Sequence, residues 1–209
     1  MPESSTTAVA ALTAALRDRI LDGDLAPGAR LVERDIVEEH EVSRVTVRSA
    51  LGRLAAEGLV AIEPHRGARV SALGPEQLHD LFALRTALEV EAARIALAER
   101  PDVLDEELGE AVAMLAAACR PKRVEWRRVG EAHEEVHRAL VDAARSPRIS
   151  AAHRALAAEL RLFVLQLRPV WSAAEMVAHH EQLRADLRTE GAEAVRRHLA
   201  EGELAVFRT

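Results

Sequence analysis

Residues 42–51 read VSRVTVRSAL, and this stretch decides the fold of the first part of the chain. Ser43 is a typical helix N-cap, and Gly58 is a typical residue just beyond a helix end, so the spacing predicts a helix between them. Arg44 and Arg48 are four residues apart and therefore share one face of this helix, with Thr46 beside them. The helix also carries the apolar residues Val45 and Ala50. Its opposite, buried face is formed by Val47, Leu51 and Leu54.

The flanking segments complete a small domain. Apolar residues at spacings of three and four predict an amphipathic helix over 8–22, and a second short helix is expected over 33–40. Downstream, 59–63 and 68–71 have strand character and flank a Pro-His-Arg-Gly turn, which predicts a β-hairpin. Three helices followed by a hairpin are the layout of a winged helix-turn-helix, which we assign to residues 1–73.

The charge of the chain is unevenly distributed. The formal net charge is -6, which taken alone argues against a nucleic-acid partner. Residues 42–71, however, hold five Arg and only two acidic residues, Glu57 and Glu63. Phosphate neutralisation supplies most of the affinity for DNA, so a local basic surplus is the relevant quantity. The Arg face therefore fits a major groove, and Arg66 at the hairpin tip fits a minor-groove or phosphate contact; the alternative is a merely solvated helix face.

The composition of the remainder predicts helices. Hydrophobic residues make up 49% of the chain but aromatic residues only 2%, so Ala, Leu and Val dominate, which favours helix. The breakers from Pro75 onward predict a six-helix bundle over 74–209, with helices at 75–100, 102–119, 122–146, 147–168, 172–190 and 192–207. The fold class is thus mainly α with one small β-hairpin wing. One cysteine, no signal sequence and no membrane-length apolar run predict a cytoplasmic protein without a membrane partner.

Histidine is concentrated in the second part, where six of the nine lie beyond residue 130. His133 and His137 are four apart, a spacing that puts two imidazoles on one side of a helix, as metal sites require. His180 and His198 lie on the last two helices and are expected to converge with them inside the bundle. In the alternative, His133 lies on a solvent-exposed helix face, and His179 and His180 form a pair on the surface.

The first domain resembles the GntR family of bacterial transcription regulators. The resemblance rests on residues 16–31, on 42–51 with the Glu-Gly-Leu-Val at 57–60, and on the wing at 64–70. It implies a capping role for Ser43, with a phosphate contact, and DNA contacts at the matching positions Arg34, Arg44, Thr46, Arg48, His65 and Gly67. It departs slightly from the family at Val45-Thr46, where Pro or Thr is often found.

The second domain resembles the ligand-binding domain of the FadR subfamily, known as the FCD domain. The resemblance is carried by residues 81–93, by Val-His-Arg-Ala-Leu at 136–140 and by His-Glu-Gln-Leu at 180–183, and six helices fit its VanR-like branch. It implies a divalent metal held by His133, His137, His180 and a last-helix residue, to which a carboxylate effector adds its oxygens.

Two departures from that pattern affect the metal. His133 stands where the family has Asp, so an all-imidazole site favours zinc or nickel over magnesium or calcium. His198 lies about one helical turn, about 5 Å, short of the expected ligand position, where Gly202 is found. Arg85 on the first helix is the candidate to hold an effector carboxylate, unless it only pairs with Glu89.

The sequence therefore predicts a ligand-responsive regulator, a repressor in the commoner mode of the family. Two chains would pair as a homodimer on a palindromic operator in double-stranded DNA, and a small organic acid would change the spacing of their recognition helices. Two alternatives stay open at this point. One is a metal sensor in which the ion is the effector, and the other is a zinc hydrolase, because His133-Glu134-Glu135-Val136-His137 fits HExxH, with His153 or His180 as third ligand.

Overall fold

A computed structural model describes residues 3–63, 66–120, 124–168 and 170–206. The chain forms two compact units, Met1–Ala72 and Leu73–Thr209, so the division falls one residue before the boundary expected from the sequence. Neither unit contains, in these described ranges, a helix that is long and apolar enough to span a bilayer.

The first unit has three helices and three short strands. In chain order they are α1 (Glu3–Leu21), β1 (Arg30–Leu31), α2 (Glu33–His40), α3 (Arg44–Ala56), β2 (Val60–Glu63) and β3 (Gly67–Val70). The predicted hairpin is confirmed as the antiparallel pair β2 and β3. Strand β1 adds to its other edge, pairing Arg30 with Arg69 and Leu31 with Ala68, which makes a three-stranded sheet of order β1-β3-β2.

The core of the first unit lies between α1 and α3. Leu16 and Ile20 of α1, and Val47 and Leu54 of α3, are almost completely buried. The Arg17 guanidinium of α1 makes a two-pronged ion pair with Glu57 at the end of α3, with N···O distances of 2.8 and 2.6 Å. This packing fixes the buried face of α3 and leaves its other side in solvent.

Ser43 caps α3 as the sequence predicts. Its Oγ accepts a hydrogen bond from the Thr46 backbone N–H at 3.1 Å. We expect Ser43→Ala to lower the free energy of unfolding by about 1 kcal/mol, because this backbone donor loses its partner. Urea unfolding measures the loss, and Ser49→Ala, at an exposed position of the same helix, is the control and stays within about 0.5 kcal/mol of wild type. Equal stability of the two variants would contradict the cap.

The second unit is all helical over its described residues. It contains α4 (Pro75–Glu99), α5 (Pro101–Cys119), α6 (Trp126–Asp142), α7 (Pro147–Arg154), α8 (Ala157–Leu167), α9 (Ala173–Glu190) and α10 (Glu193–Val206). Helix α6 packs against α4, α5, α7 and α8, while α10 packs against α4 and α9. Buried residues of α6 recur at spacings of three and four and include Val129, His133, Val136, His137 and Leu140.

The predicted count of six helices is wrong for these residues, because the segment 147–168 forms two helices. The Leu156 N–H donates to the carbonyl of His153 at 3.0 Å, three residues back, where an α-helix would use the fourth. No Gly or Pro marks this junction, so the sequence carried no break signal there. The turn ends α7 with His153 buried in the bundle.

Candidate functional site

Helix α3 presents an exposed basic face. Arg44 has no hydrogen bond or ion pair within the described part of the chain, and Arg48 is 72% exposed. Both Oε atoms of Glu33 on α2 accept from Arg48 Nε at 3.0 Å. Exposed ion pairs of this kind contribute only about 0–1 kcal/mol, so Arg48 is readily released to another acceptor.

Thr46, which lies between these arginines, differs from the expectation. Thr46 is only 7% exposed, and its hydroxyl lies 2.9 Å from Ser43 Oγ, so its side chain belongs to the capping network. Val45, which the sequence did not place on the buried face, is 73% exposed. The apolar side chain on the basic face is therefore Val45, a position at which a thymine methyl group is a suitable partner.

Further predicted DNA contacts lie on α2 and on the wing. The side chain of Arg34 is exposed and lies 3.3 Å from Asp35. Arg66 is exposed beside Glu63, with 3.5 Å between Nη1 and Oε2. Gly67 has φ +84°, and no atom lies within 4 Å of the place where a Cβ would stand, so this wing position is open. His65 lies outside the described residues.

In the second unit the four predicted histidines come together. His133, His137, His180 and His198 are all buried, and their ring centroids are 4.7 to 5.4 Å apart in the pairs that touch. The one-turn offset expected for His198 does not keep it out, because its ring packs against those of His180 and His137. Gly202 lines the same cavity one turn further along α10.

A buried carboxylate lies next to this cluster. Glu89 is completely buried and accepts from Arg85 Nε at 2.9 Å, from His137 Nδ1 at 2.8 Å and from His153 Nε2 at 3.1 Å. Burial alone raises the pKa of Glu89, but the Arg85 charge and the imidazole hydrogen bonds outweigh it and hold this pKa well below its usual range. The network keeps Glu89 ionised and fixes His137 in the tautomer with the proton on Nδ1.

Burial keeps the imidazoles neutral. It lowers the pKa of His137 to about 4, against the opposing charge of Glu89, and lowers the pKa values of His133, His180 and His198 well below the usual range. A neutral imidazole has one nitrogen with a free lone pair, which is the form that binds a metal.

The geometry of two of these rings fits a metal ion. His180 Nδ1 donates to the carbonyl of Met176 at 2.7 Å, and His137 Nδ1 donates to Glu89, so both Nε2 atoms carry lone pairs. These Nε2 atoms face each other at 3.3 Å with no proton to share. Two nitrogen ligands bound at 2.0–2.1 Å in a tetrahedral zinc site are separated by about 3.3 Å. His133, His137 and His180 offer ligand atoms that all lie within 4.8 Å of one another.

Arg85 faces the same cavity with part of its guanidinium unused. The predicted pairing with Glu89 is present, but it uses Nε, and the buried Nη2 has no hydrogen-bond partner among the described residues. The Arg85 guanidinium carbon lies 4.9 Å from the centroid of the Phe82 ring. A buried, unpartnered guanidinium nitrogen costs stability unless an acceptor binds it, so this atom fits an anion.

The sequence did not predict that three further residues, Glu89, His153 and His179, belong to this site. Glu89 was considered only as a partner of Arg85, His153 only as a zinc ligand of the hydrolase alternative, and His179 only as half of a surface pair. His179 is in fact mostly buried and stacks on His198 at 4.0 Å. A period of three or four from His137 would not have found any of them, because they lie on α4, α7 and α9.

The carboxylate that a hydrolase would need is engaged elsewhere. Arg161 Nε donates to Glu134 at 2.9 Å, and Glu135 pairs with Arg138 on the same helix. His153, offered as third ligand by spacing, binds Glu89, whereas His180 is the one that joins His133 and His137.

Comparisons with known proteins agree with this arrangement. Residues 8–70 match the model of bacterial regulatory proteins of the gntR family, and residues 80–201 match the FCD domain. A chain described as a GntR transcriptional regulator from Rhodococcus sp. RHA1 superposes with a TM-score of 0.74 and 26% identity, covering 95% of this chain and 97% of that one.

Two relatives illustrate how far the sequence similarity extends. The HTH-type transcriptional regulator BphR of Paraburkholderia xenovorans is 44% identical over 79 residues, which are 38% of this chain and only 32% of BphR. An HTH-type transcriptional regulator from the TAR-I ttuE-ttuC' intergenic region of Agrobacterium vitis is 32% identical over 142 residues, 66% of this chain and 81% of that protein. The chain therefore belongs to the GntR family of transcriptional regulators, with a gntR-type helix-turn-helix unit followed by an FCD domain.

Proposed function

We propose that the protein is a cytoplasmic, ligand-responsive repressor that binds a palindromic operator as a homodimer and is released by a small carboxylate. The observation that carries the effector class is Arg85 Nη2, a buried cation donor without a partner, at the edge of a cavity lined by neutral imidazoles. A guanidinium is the preferred group for gripping a carboxylate. In this proposal α3 of each protomer reads one half-site, with Arg44 and Arg48 toward the bases.

The imidazoles would hold a divalent metal, with zinc or nickel favoured by an all-nitrogen ligand set. His133, His137, His180 and His198 are the candidate ligands, and a bound ion would supply a positive centre for the carboxylate oxygens. The chain's own part is to orient the rings through Glu89 and Met176 and to keep them dry and neutral. Arg85, which lines the same cavity, then adds a second positive contact.

A second candidate is a metal sensor, in which the ion alone is the effector. The cavity bounded by the imidazoles, Phe82 and Phe163 has a volume of about 10 Å³. That is roughly the space of a single water molecule or ion, so an organic acid requires the site to open further. This small volume favours the ion as the complete signal.

Selection from a random library of duplex DNA, followed by gel shifts on the enriched site, tests both candidates. We expect a two-fold symmetric site whose half-sites are about 10 base pairs apart, centre to centre. Under the first candidate, DNA is released only when a metal and a member of a carboxylate panel are both present. Arg85→Lys keeps the charge but cannot donate two parallel hydrogen bonds to a carboxylate. Its release from DNA should then require at least about tenfold more acid.

The other outcomes are equally informative. Release by zinc or nickel alone, reversed by a chelator and unchanged by any acid, selects the metal sensor and overturns the carboxylate. Absence of any enriched DNA site would overturn the regulator proposal as a whole.

A further inference from the structure

Five buried or mostly buried imidazoles meet in the second unit, and they form two overlapping groups of three that share His180. We call His133, His137 and His180 the first imidazole set, and His179, His180 and His198 the second imidazole set. Within each set the candidate ligand atoms all lie within 4.8 Å of one another. The rings of the second set are also in contact, at centroid distances of 4.0, 4.7 and 5.8 Å. His179 and His198 are stacked with nearly parallel planes, and an imidazole lone pair lies in its ring plane, so one of these two rings must turn when both bind the same ion.

The two sets share one ligand atom. The Nδ1 of His180 is used by the Met176 carbonyl at 2.7 Å, so only its Nε2 is free to bind an ion. One imidazole lone pair coordinates one metal at a time. Both sets therefore cannot be filled together through His180, and they are alternative positions for a single ion.

The second set contains nitrogens that are available to a ligand. His179 Nε2 donates to Glu201 Oε2 at 3.0 Å, which leaves the lone pair on Nδ1. The Nδ1 atoms of His179 and His198 are both buried, and neither has a hydrogen-bond partner in the described ranges. Buried polar atoms are rarely left in this state, so these two nitrogens point to an absent partner, to which His179 Nδ1 can offer its lone pair.

In each set, a carboxylate orients one of the imidazole rings. In the first set Glu89 accepts from His137 Nδ1, and in the second Glu201 accepts from His179 Nε2. A carboxylate that fixes the tautomer and direction of an imidazole is the usual support of a histidine metal ligand. Glu201 is exposed, whereas Glu89 is buried, so the two positions differ in their access to solvent.

We propose that the protein binds one divalent transition-metal ion at either of two overlapping positions, with His180 as the ligand common to both. This rests on the metal component of the proposed function and deepens it. An ion in the first position joins α9 to α6, and an ion in the second joins α9 to α10. His179 and Glu201 thereby become a ligand and its positioning residue, at a place where the sequence suggested only a surface pair.

Calorimetric titration of the full chain with Ni²⁺ tests the proposal. We expect one ion per chain for wild type, and loss of about 100-fold or more in affinity for His180→Ala. His133→Ala and His179→Ala should each retain one ion and lose no more than about tenfold, since the other set remains, whereas the double variant should lose about 100-fold. Circular dichroism checks that each variant is folded.

Glu201→Gln supplies a second test that leaves the buried imidazoles intact. In the His133→Ala background, where the ion depends on the second set, it should weaken Ni²⁺ binding about tenfold or more. In the His179→Ala background it should have no effect. Glu203→Gln is the matched control, since Glu203 lies on the same helix and pairs with the exposed His79 instead of an imidazole of either set.

Three results would overturn the proposal. The first is a stoichiometry of two ions per chain. The second is that, in the His133→Ala background, neither His179→Ala nor Glu201→Gln changes the affinity for Ni²⁺. The third is that His133→Ala alone stays folded but loses all Ni²⁺ binding. If wild type binds no Ni²⁺ or Zn²⁺, the metal component of the proposed function fails as well, whereas operator binding in the gel shift stands or falls separately.

Discussion

Arg44→Ala and Arg48→Ala should each weaken operator binding by about 1–3 kcal/mol, which is roughly 5-fold to 150-fold in Kd, if each reads a base. Both side chains are exposed on the same face of α3, and the fold holds this face rigidly through the buried residues on its opposite side. An Arg that donates two hydrogen bonds to a guanine loses both on truncation. Gel-shift titration on the selected operator measures the effect.

The control is Arg94→Ala in the second unit, which removes an exposed arginine that pairs with Glu91 in the same way. It should bind the operator as wild type does. Salt titration separates base reading from phosphate contact, because loss of a phosphate contact lowers the salt slope by about one and weakens binding to all sequences alike. Normal operator binding by both α3 variants would refute their assignment.

Glu89→Ala should lower the free energy of unfolding of the second unit by about 3–5 kcal/mol. Its removal leaves the Arg85 guanidinium as an uncompensated charge at 1% exposure and takes the acceptor from His137 and His153. Urea unfolding in the presence of a chelator measures the cost without a contribution from metal binding.

Glu91→Ala is the matched control, since Glu91 lies on the same helix and also pairs with an arginine, but in solvent. Its cost should be within about 1 kcal/mol of zero. Replacing the whole pair, as Arg85→Met with Glu89→Leu, should recover much of the loss, because no uncompensated charge then remains. Equal losses in Glu89→Ala and Glu91→Ala would show that the buried network is not a unit.

The sequence predicted the first unit well because its signals are local. A cap at Ser43, a stop at Gly58 and two runs of strand residues around a Gly turn each specify structure within a few residues. Strand β1 was not predicted, because a strand of two residues shows no periodicity. It is defined by its pairing with β3. Thr46 was expected on the DNA-facing side of α3, but it is buried because its hydroxyl joins the cap at Ser43.

The second unit was predicted in type but not in detail. The i, i+4 spacing found His133 and His137, the position of His180 and His198 on the last two helices suggested that they converge with this pair, and the family resemblance supported His180. Glu89, His153 and His179 meet these residues only through the packing of α4, α7 and α9 against α6 and α10, which no local pattern encodes. The division of 147–168 into two helices likewise depends on an i to i−3 hydrogen bond, and no Gly or Pro marks this position in the sequence.

The scarcity of aromatic residues has a practical consequence. The chain has no Tyr and two Trp, so its ultraviolet emission is dominated by Trp126 and Trp171. Trp171 lines the imidazole cavity, and its ring lies 4.6 Å from that of His179, whereas Trp126 lies beneath the Arg168 guanidinium at 5.6 Å. Replacing Trp126 with Phe would leave one native fluorophore beside the second imidazole set, so that occupancy of the cavity can be followed in the unlabelled protein.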